Sequence, residues 1–199
     1  MRDGAKVVTD HIERVDADGV RLRSGGYIEA DVLVIATGLQ LLAFGDANFS
    51  VDGAPVPTES LVAYRAMMAN RLPNFSYTIG YLNQSWTLRA DMTSRYLVQL
   101  WKDMDSRGEQ WACPVLPDGE PADLPLLEMS SGYIQRSVGT LPRQAAGDPW
   151  RMEHDYIKER RTYTSADNTH DMAFGVDALE AAAPLAAGEG GGGAAELRV

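Results

Sequence analysis

Polar and apolar positions alternate at the start of the chain, then give way to a run that is apolar throughout. Residues 6–15 are rich in β-branched side chains. Asp16-Ala17-Asp18-Gly19 follows as a hairpin turn, since Asp-Gly tolerates positive φ. Val20-Arg21-Leu22-Arg23 alternates as a half-buried strand does. Ser24-Gly25-Gly26 turns the chain again, and Tyr27-Ile28-Glu29 leads into residues 32–36. That run is apolar on both faces, which predicts a central, parallel strand covered by helices on both sides. Ala36-Thr37-Gly38 is its polar exit. Residues 39–59 have no clear period and read as loop with a short β-turn unit. Residues 61–68 predict a strand. Residues 75–79 alternate and predict another, stopped by Gly80.

The strongest helical pattern comes next. Leu88, Met92, Tyr96, Leu97, Leu100, Trp101 and Met104 recur at three- and four-residue spacing. Arg89, Asp91, Arg95, Lys102 and Asp103 are assigned to the other faces. Residues 87–107 are therefore an amphipathic helix, with Ser85 or Thr87 as cap and Gly108 as stop. Four prolines between residues 111 and 127 make that stretch an extended surface segment. Residues 130–138 predict a short helix, and residues 149–162 a charged helix or arm. From about residue 175 the chain is Ala/Gly-rich and reads as disordered.

Charge removes some classes of partner. A net charge of -10 and a pI near 4.7 argue against nucleic acid and anionic membranes. No apolar run is long enough to span a bilayer, and the N-terminal residues show no signal peptide. The single cysteine, Cys113, excludes an internal disulfide framework and fits a reducing cytoplasm. Without secretion, the glycosylation patterns at Asn48, Asn74 and Asn83 carry no meaning.

Most apparent motifs dissolve on inspection. Gly188-Glu-Gly190-Gly-Gly-Gly193 fits G-x-G-x-x-G, but no strand precedes it and no room for a helix follows. Asp16-Ala-Asp18-Gly19 lacks the remaining ligands of a calcium loop. His11, His154 and His170 are far apart, with no metal-ligand spacing, so no metal is expected. Nothing joins His154, Asp155 and Ser165 as a triad.

Two strand ends carry chemistry. One is Thr37-Gly38. The other is Gly80-Tyr81-Leu82-Asn83-Gln84-Ser85-Trp86-Thr87, which runs into the long helix. Ligands of open α/β sheets bind beyond the carboxyl ends of strands. A helix N-terminus offers unpaired N–H groups and partial positive charge. The second stretch is either a donor-rich anion site or a plain βα turn.

These stretches together resemble the C-terminal part of a class B flavoprotein monooxygenase, the group of flavin-containing and Baeyer–Villiger monooxygenases. The branch that includes the ethionamide-activating monooxygenase of mycobacteria is the nearest. The resemblance is carried by Val7-Val-Thr-Asp-His-Ile, Ala30 to Leu41, Val51-Asp-Gly, Val62-Ala-Tyr-Arg-Ala-Met-Met, Pro73-Asn-Phe and Gly80-Tyr-Leu-Asn-Gln-Ser-Trp-Thr-Leu-Arg-Ala-Asp. It continues in Ser131-Gly-Tyr-Ile-Gln-Arg, Leu141-Pro-Arg-Gln and Pro149-Trp-Arg, collinear over residues 7–163.

The resemblance implies an α/β fold: an incomplete piece of a Rossmann-like flavoprotein with two dinucleotide-binding domains and an irregular C-terminal arm. Residues 1–38 would end the NADPH-binding domain and include the crossing strand. Residues 39–110 would be the C-terminal part of the FAD-binding domain. Residues 111–174 would form the arm, and residues 175–199 a disordered tail. No glycine fingerprint for FAD or NADPH opens a βαβ unit here, and two such domains need about 150 residues each. The chain therefore reads as a C-terminal fragment or a truncated gene product.

Function follows from the same resemblance. It implies an enzyme that uses FAD and NADPH to insert one oxygen atom of O2 into a ketone, or onto a sulfur or nitrogen centre. Substrates would be small ketones, sulfides, thioamides or amines. Asn83, Gln84, Ser85, Trp86 and Thr87 would face the flavin, and Thr37 and Gly38 would line the crossing between domains. No catalytic residue is assigned, because the family's catalytic arginine lies outside this stretch. Two alternatives stand beside it. One is an inert remnant that docks on a partner. The other is a disulfide-reductase-type flavoprotein, which would need a Cys pair and a Gly-Asp where Gly80-Tyr81 stands.

Overall fold

The computed structural model describes residues 4–163 and 169–176. The Ala/Gly-rich tail with its Gly188 run, and Ser165, lie outside the described residues. Helices and strands are mixed, and the chain divides into two units between Leu39 and Gln40.

The first unit is an antiparallel meander of β1 (Ile12–Asp16), β2 (Gly19–Leu22) and β3 (Tyr27–Glu29). The Asp16–Gly19 turn is where the sequence puts it, with Asp16 paired to Gly19. Its glycine serves another purpose than expected. Neither Asp18 nor Gly19 takes positive φ. A Cβ at Gly19 would instead overlap the Ile28 carbonyl of β3, so the residue is small to let a neighbouring strand approach. The strand expected at residues 32–36 is absent. Residues 32–40 have no regular structure, and Val32, Val34 and Ile35 are 78%, 79% and 79% exposed. A strand apolar on both faces takes its shape from parallel neighbours and covering helices. No described strand pairs with this one.

The second unit is built around a buried hairpin. After a short antiparallel pair, β4 (Phe49–Val51) and β5 (Ala54–Val56), come β6 (Ala63–Tyr64) and β7 (Met68–Ala69). The expected single strand at residues 61–68 is thus a hairpin, whose turn residues Arg65 and Ala66 both take positive φ, 50° and 53°. The turn is held from outside. Arg65 N–H donates to the Pro149 carbonyl at 2.7 Å, and the Tyr163 hydroxyl donates to the Arg65 carbonyl at 2.5 Å. The Arg65 guanidinium lies between the rings of Tyr64 and Tyr163, 5.4 and 5.5 Å from their centroids.

Residues 75–79 keep the predicted alternation of burial, but only Ser76 makes a bridge, to Met68. The expected second strand is therefore an extended segment tied at Tyr77 N–H to the Met67 carbonyl, 2.8 Å. Helix α1 (Trp86–Arg107) follows at the predicted place and ends at Gly108, φ 70°. Gly108 and Glu109 N–H close its last carbonyls. Met92, Tyr96, Leu100 and Met104 enter the main core with Tyr64, Met67 and Trp150. Trp101, placed on the apolar face by the pattern, is 63% exposed.

The arm is more ordered than its prolines suggest. It contains β8 (Trp111–Pro114), β9 (Leu124–Pro125), α2 (Gly132–Ser137), β10 (Arg143–Gln144), α3 (Tyr156–Tyr163) and β11 (Met172–Gly175). β9 pairs with β10, and β11 returns antiparallel to β8. Gly175 still pairs with Trp111, whose indole a Cβ at Gly175 would strike. Cys113 is buried in β8, and burial pushes its thiol up to about 11. It is expected to resist a thiol reagent at pH 8 in the folded chain and to label readily in urea. Equal labelling rates in both conditions would contradict this placement.

Candidate functional site

Residues 80–87 form one contiguous turn that ends in the first turn of α1. Ser85 stands at the helix N-cap, as expected, but its hydroxyl does not cap a backbone amide. It shares a hydrogen bond with the Thr87 hydroxyl at 2.8 Å. The first N–H groups of a helix have no partner within it, so this end presents donors outward. Asn83, Gln84, Ser85 and Thr87 are exposed, and Trp86 is 59% exposed. The Trp86 indole lies over Gly80, where a Cβ would overlap it. That contact explains the glycine. Thr37 and Gly38 belong to the first unit, exposed and without regular structure.

Beneath the turn sits a charged network that the spacing argument missed. Arg89, fully buried, makes two hydrogen bonds to the equally buried Glu159 of α3, one from Nε to Oε2 at 3.2 Å and one from Nη2 to Oε1. Nη2 also donates to the Glu153 carbonyl. The guanidinium stacks over the Tyr81 ring, 4.1 Å from its centroid, and the Tyr81 hydroxyl donates to Glu159 Oε2. Burial pushes the Glu159 carboxyl above its usual range, while Tyr81 and Arg89 pull it back in part. Burial, with Glu159 beside it, also raises Tyr81, which keeps the hydroxyl protonated as a donor.

The arm reaches the turn at a second point. Gln84 Nε2 donates to the His154 carbonyl at 3.4 Å. Asp155 then caps α3, its Oδ1 accepting from Ile157 and Lys158 N–H at 2.9 and 3.1 Å. Asp155 and His154 thus serve the arm. Burial, and then the Arg89 charge, hold His154 below its usual value. Arg89 Nη1, Tyr77 Oη and His154 Nδ1 are buried with no hydrogen-bond partner among the described residues. No group of His, Cys, Asp and Glu among the described residues could hold a metal ion. No described helix is long and apolar enough to cross a membrane.

The chain is 40% identical to the FAD-containing monooxygenase EthA of Mycobacterium tuberculosis, across 156 residues, 78% of the chain. It is 36% identical over 168 residues, 83% of the chain, to the "Probable FAD-binding monooxygenase AlmA" of an Acinetobacter species. EthA of Mycolicibacterium smegmatis is 34% identical over 157 residues. The chain matches a fragment of a flavin monooxygenase near EthA. It spans about a third of the length of these relatives: 32% of either EthA and 34% of AlmA. No family model matches the chain, and no solved structure matches it. At the helix-starting turn, exposed Asn83, Gln84 and Thr87 stand above the buried Arg89–Glu159 pair.

Proposed function

We propose that this chain supplies one wall of the flavin site of an FAD- and NADPH-dependent monooxygenase that works in the cytoplasm. The enzyme inserts one oxygen atom of O2 into a ketone, or onto the sulfur or nitrogen of a sulfide, thioamide or amine. One observation carries the reading: an uncapped helix N-terminus with exposed Asn83, Gln84 and Thr87, in a chain related to FAD-containing monooxygenases. In this reading residues 1–38 end the NADPH-binding domain. Residues 39–110 belong to the FAD-binding domain of a Rossmann-like pair, and residues 111–174 form its arm.

The residues of the turn fit a flavin. Gly80 leaves room for the Trp86 indole, and the amides at the start of α1 point away from the helix. When bound, FAD supplies the oxygen chemistry, while the protein orients it and excludes water. The N–H groups of Trp86 and Thr87, with the side chains of Asn83 and Gln84, would hold the flavin, as donors suited to the negative charge that a reduced flavin carries. The exposed Trp86 indole would shield a bound flavin from water. Thr37 and Gly38 line the crossing between the two nucleotide domains.

The chain by itself is expected neither to hold FAD nor to oxidise NADPH. The adenosine diphosphate halves of both cofactors need a glycine fingerprint that opens a βαβ unit, and no such fingerprint is read in this sequence. An exposed turn leaves most of a flavin in water, whereas small-ligand sites bury most of their ligand. The test is to purify the 199-residue chain, add FAD, and measure bound flavin and NADPH consumption with a small ketone or sulfide. A stoichiometric yellow complex that turns over NADPH would overthrow this reading. The exposed run Val32-Leu33-Val34-Ile35 supports a second reading, a remnant that docks on a partner and catalyses nothing.

A further inference from the structure

We infer that Glu159, acting through Arg89 and Tyr81, is a positioning residue that fixes the turn at residues 80–87. The C-terminal arm thereby sets where the first amides of α1 point. The inference rests on the reading above for its consequence in flavin binding, but its geometry stands on the turn alone.

The turn has little backbone support. Residues 77–85 form no ladder, and Tyr77 N–H at one end and Leu88 N–H at the other make the backbone bonds that border it. Side chains do the holding. Tyr81 directly follows Gly80, and Arg89 lies one helical turn after Trp86, so the two bracket the segment. Both converge on one carboxylate, Glu159 of α3. The arm adds two backbone acceptors, the Glu153 carbonyl for Arg89 and the His154 carbonyl for Gln84. The Tyr156 ring of α3 stands edge-on to Tyr81, 6.4 Å between centroids.

A general contribution to stability does not explain this arrangement. Removing two charges from water is costly, and a well-packed apolar pair of similar volume is often as stabilising as a buried ion pair, or more so. What an apolar pair cannot supply is direction. Nε and Nη2 reach the two carboxylate oxygens in a planar fork, which fixes the Arg89 side chain in angle as well as in place. The Tyr81 hydroxyl then locks the other end of the turn to the same carboxylate. Glu159 is therefore the common anchor of both ends.

The test compares amide hydrogen exchange in the full 199-residue chain, without flavin, for wild type, R89M/E159L and Y81F. The double variant is expected to keep its urea midpoint and the exchange of β6, β7 and β8. Leu88 N–H, which donates to the Ser85 carbonyl, should exchange at least about tenfold faster. Trp86 emission, isolated by subtracting the matching Trp86→Phe spectrum, should shift in the same variant. Tyr81→Phe keeps the ion pair and loses one bond to Glu159, so its effect should be smaller, about threefold. A merely structural pair would be replaced by Met and Leu with no change at Leu88, and that result would overturn the inference. If the double variant fails to fold, Tyr81→Phe decides: unchanged exchange at Leu88 rejects the anchor. Because no flavin is present, failure of the flavin reading leaves this outcome intact, and the converse also holds.

Discussion

Arg89→Met is expected to destabilise the chain by about 3–5 kcal/mol, the cost of leaving a buried charge without its partner. Methionine fills much of the same space, so the loss is chiefly electrostatic. In the wild type, Glu159 has Arg89 on one side and the Tyr81 hydroxyl on the other. Without Arg89 the carboxylate keeps one hydrogen bond and no counter-charge. Burial already raises this carboxyl, and the variant would raise it further. A raised folded-state value favours the protonated form, so the penalty is present above the unfolded value of about 4.5 and fades as pH falls towards it. Urea unfolding at pH 5 and pH 8 reads both effects. The loss should be larger at pH 8. A loss below about 1 kcal/mol at pH 8, or one independent of pH, would show that the pair does not hold the arm to α1.

Trp86→Ala is expected to weaken FAD retention about tenfold, or about 1.4 kcal/mol, when this chain is assembled with the part of the EthA chain that it does not match. Trp86 is large, exposed and seated over Gly80 at the helix start, where an aromatic ring can cover a planar ligand. Gly80→Ala should act in the same direction, because its Cβ drives the indole off the turn. Flavin release from the assembled protein, followed by fluorescence, is the measurement. Equal release rates for wild type and both variants would remove Trp86 from the flavin wall.

The parts of this fold that a local pattern determines were legible in the sequence. Helix α1 appears from Trp86 to Arg107 because its apolar residues recur at the helical period and Gly108 can adopt the left-handed stop. The β1–β2 hairpin follows from alternation and its turn, whereas Tyr27–Glu29, expected only to lead into residues 32–36, is itself the third strand. Arg89 escaped because it was assigned to a face by its charge. Its angle tells another story: seven residues from Tyr96, it sits about 20° away on the wheel, on the buried face. The β6–β7 hairpin was hidden for a different reason. Its turn has no glycine, asparagine or aspartate, and Arg65 and Ala66 take positive φ only because Pro149 and Tyr163 hold them there. The pairing of β8 with β11 and the joining of Glu159 to Arg89 are long-range events with no local signature.

Residues 32–36 mark the opposite case. Their composition describes an environment, a sheet interior, that no described strand or helix provides. The candidate turn was legible as a donor-rich helix start. Its support was not, because Tyr81, Arg89 and Glu159 meet only after the arm has returned to α1.

The most direct test of the central claim, that the start of α1 faces a flavin, is hydrogen exchange on the assembled protein with and without FAD. The partner is again the portion of EthA that this chain does not match. The account predicts that FAD slows exchange at the amides of Trp86 and Thr87 and across residues 83–87, while β8 and β11 are unaffected. Bound FAD with unchanged exchange at residues 83–87 would contradict it.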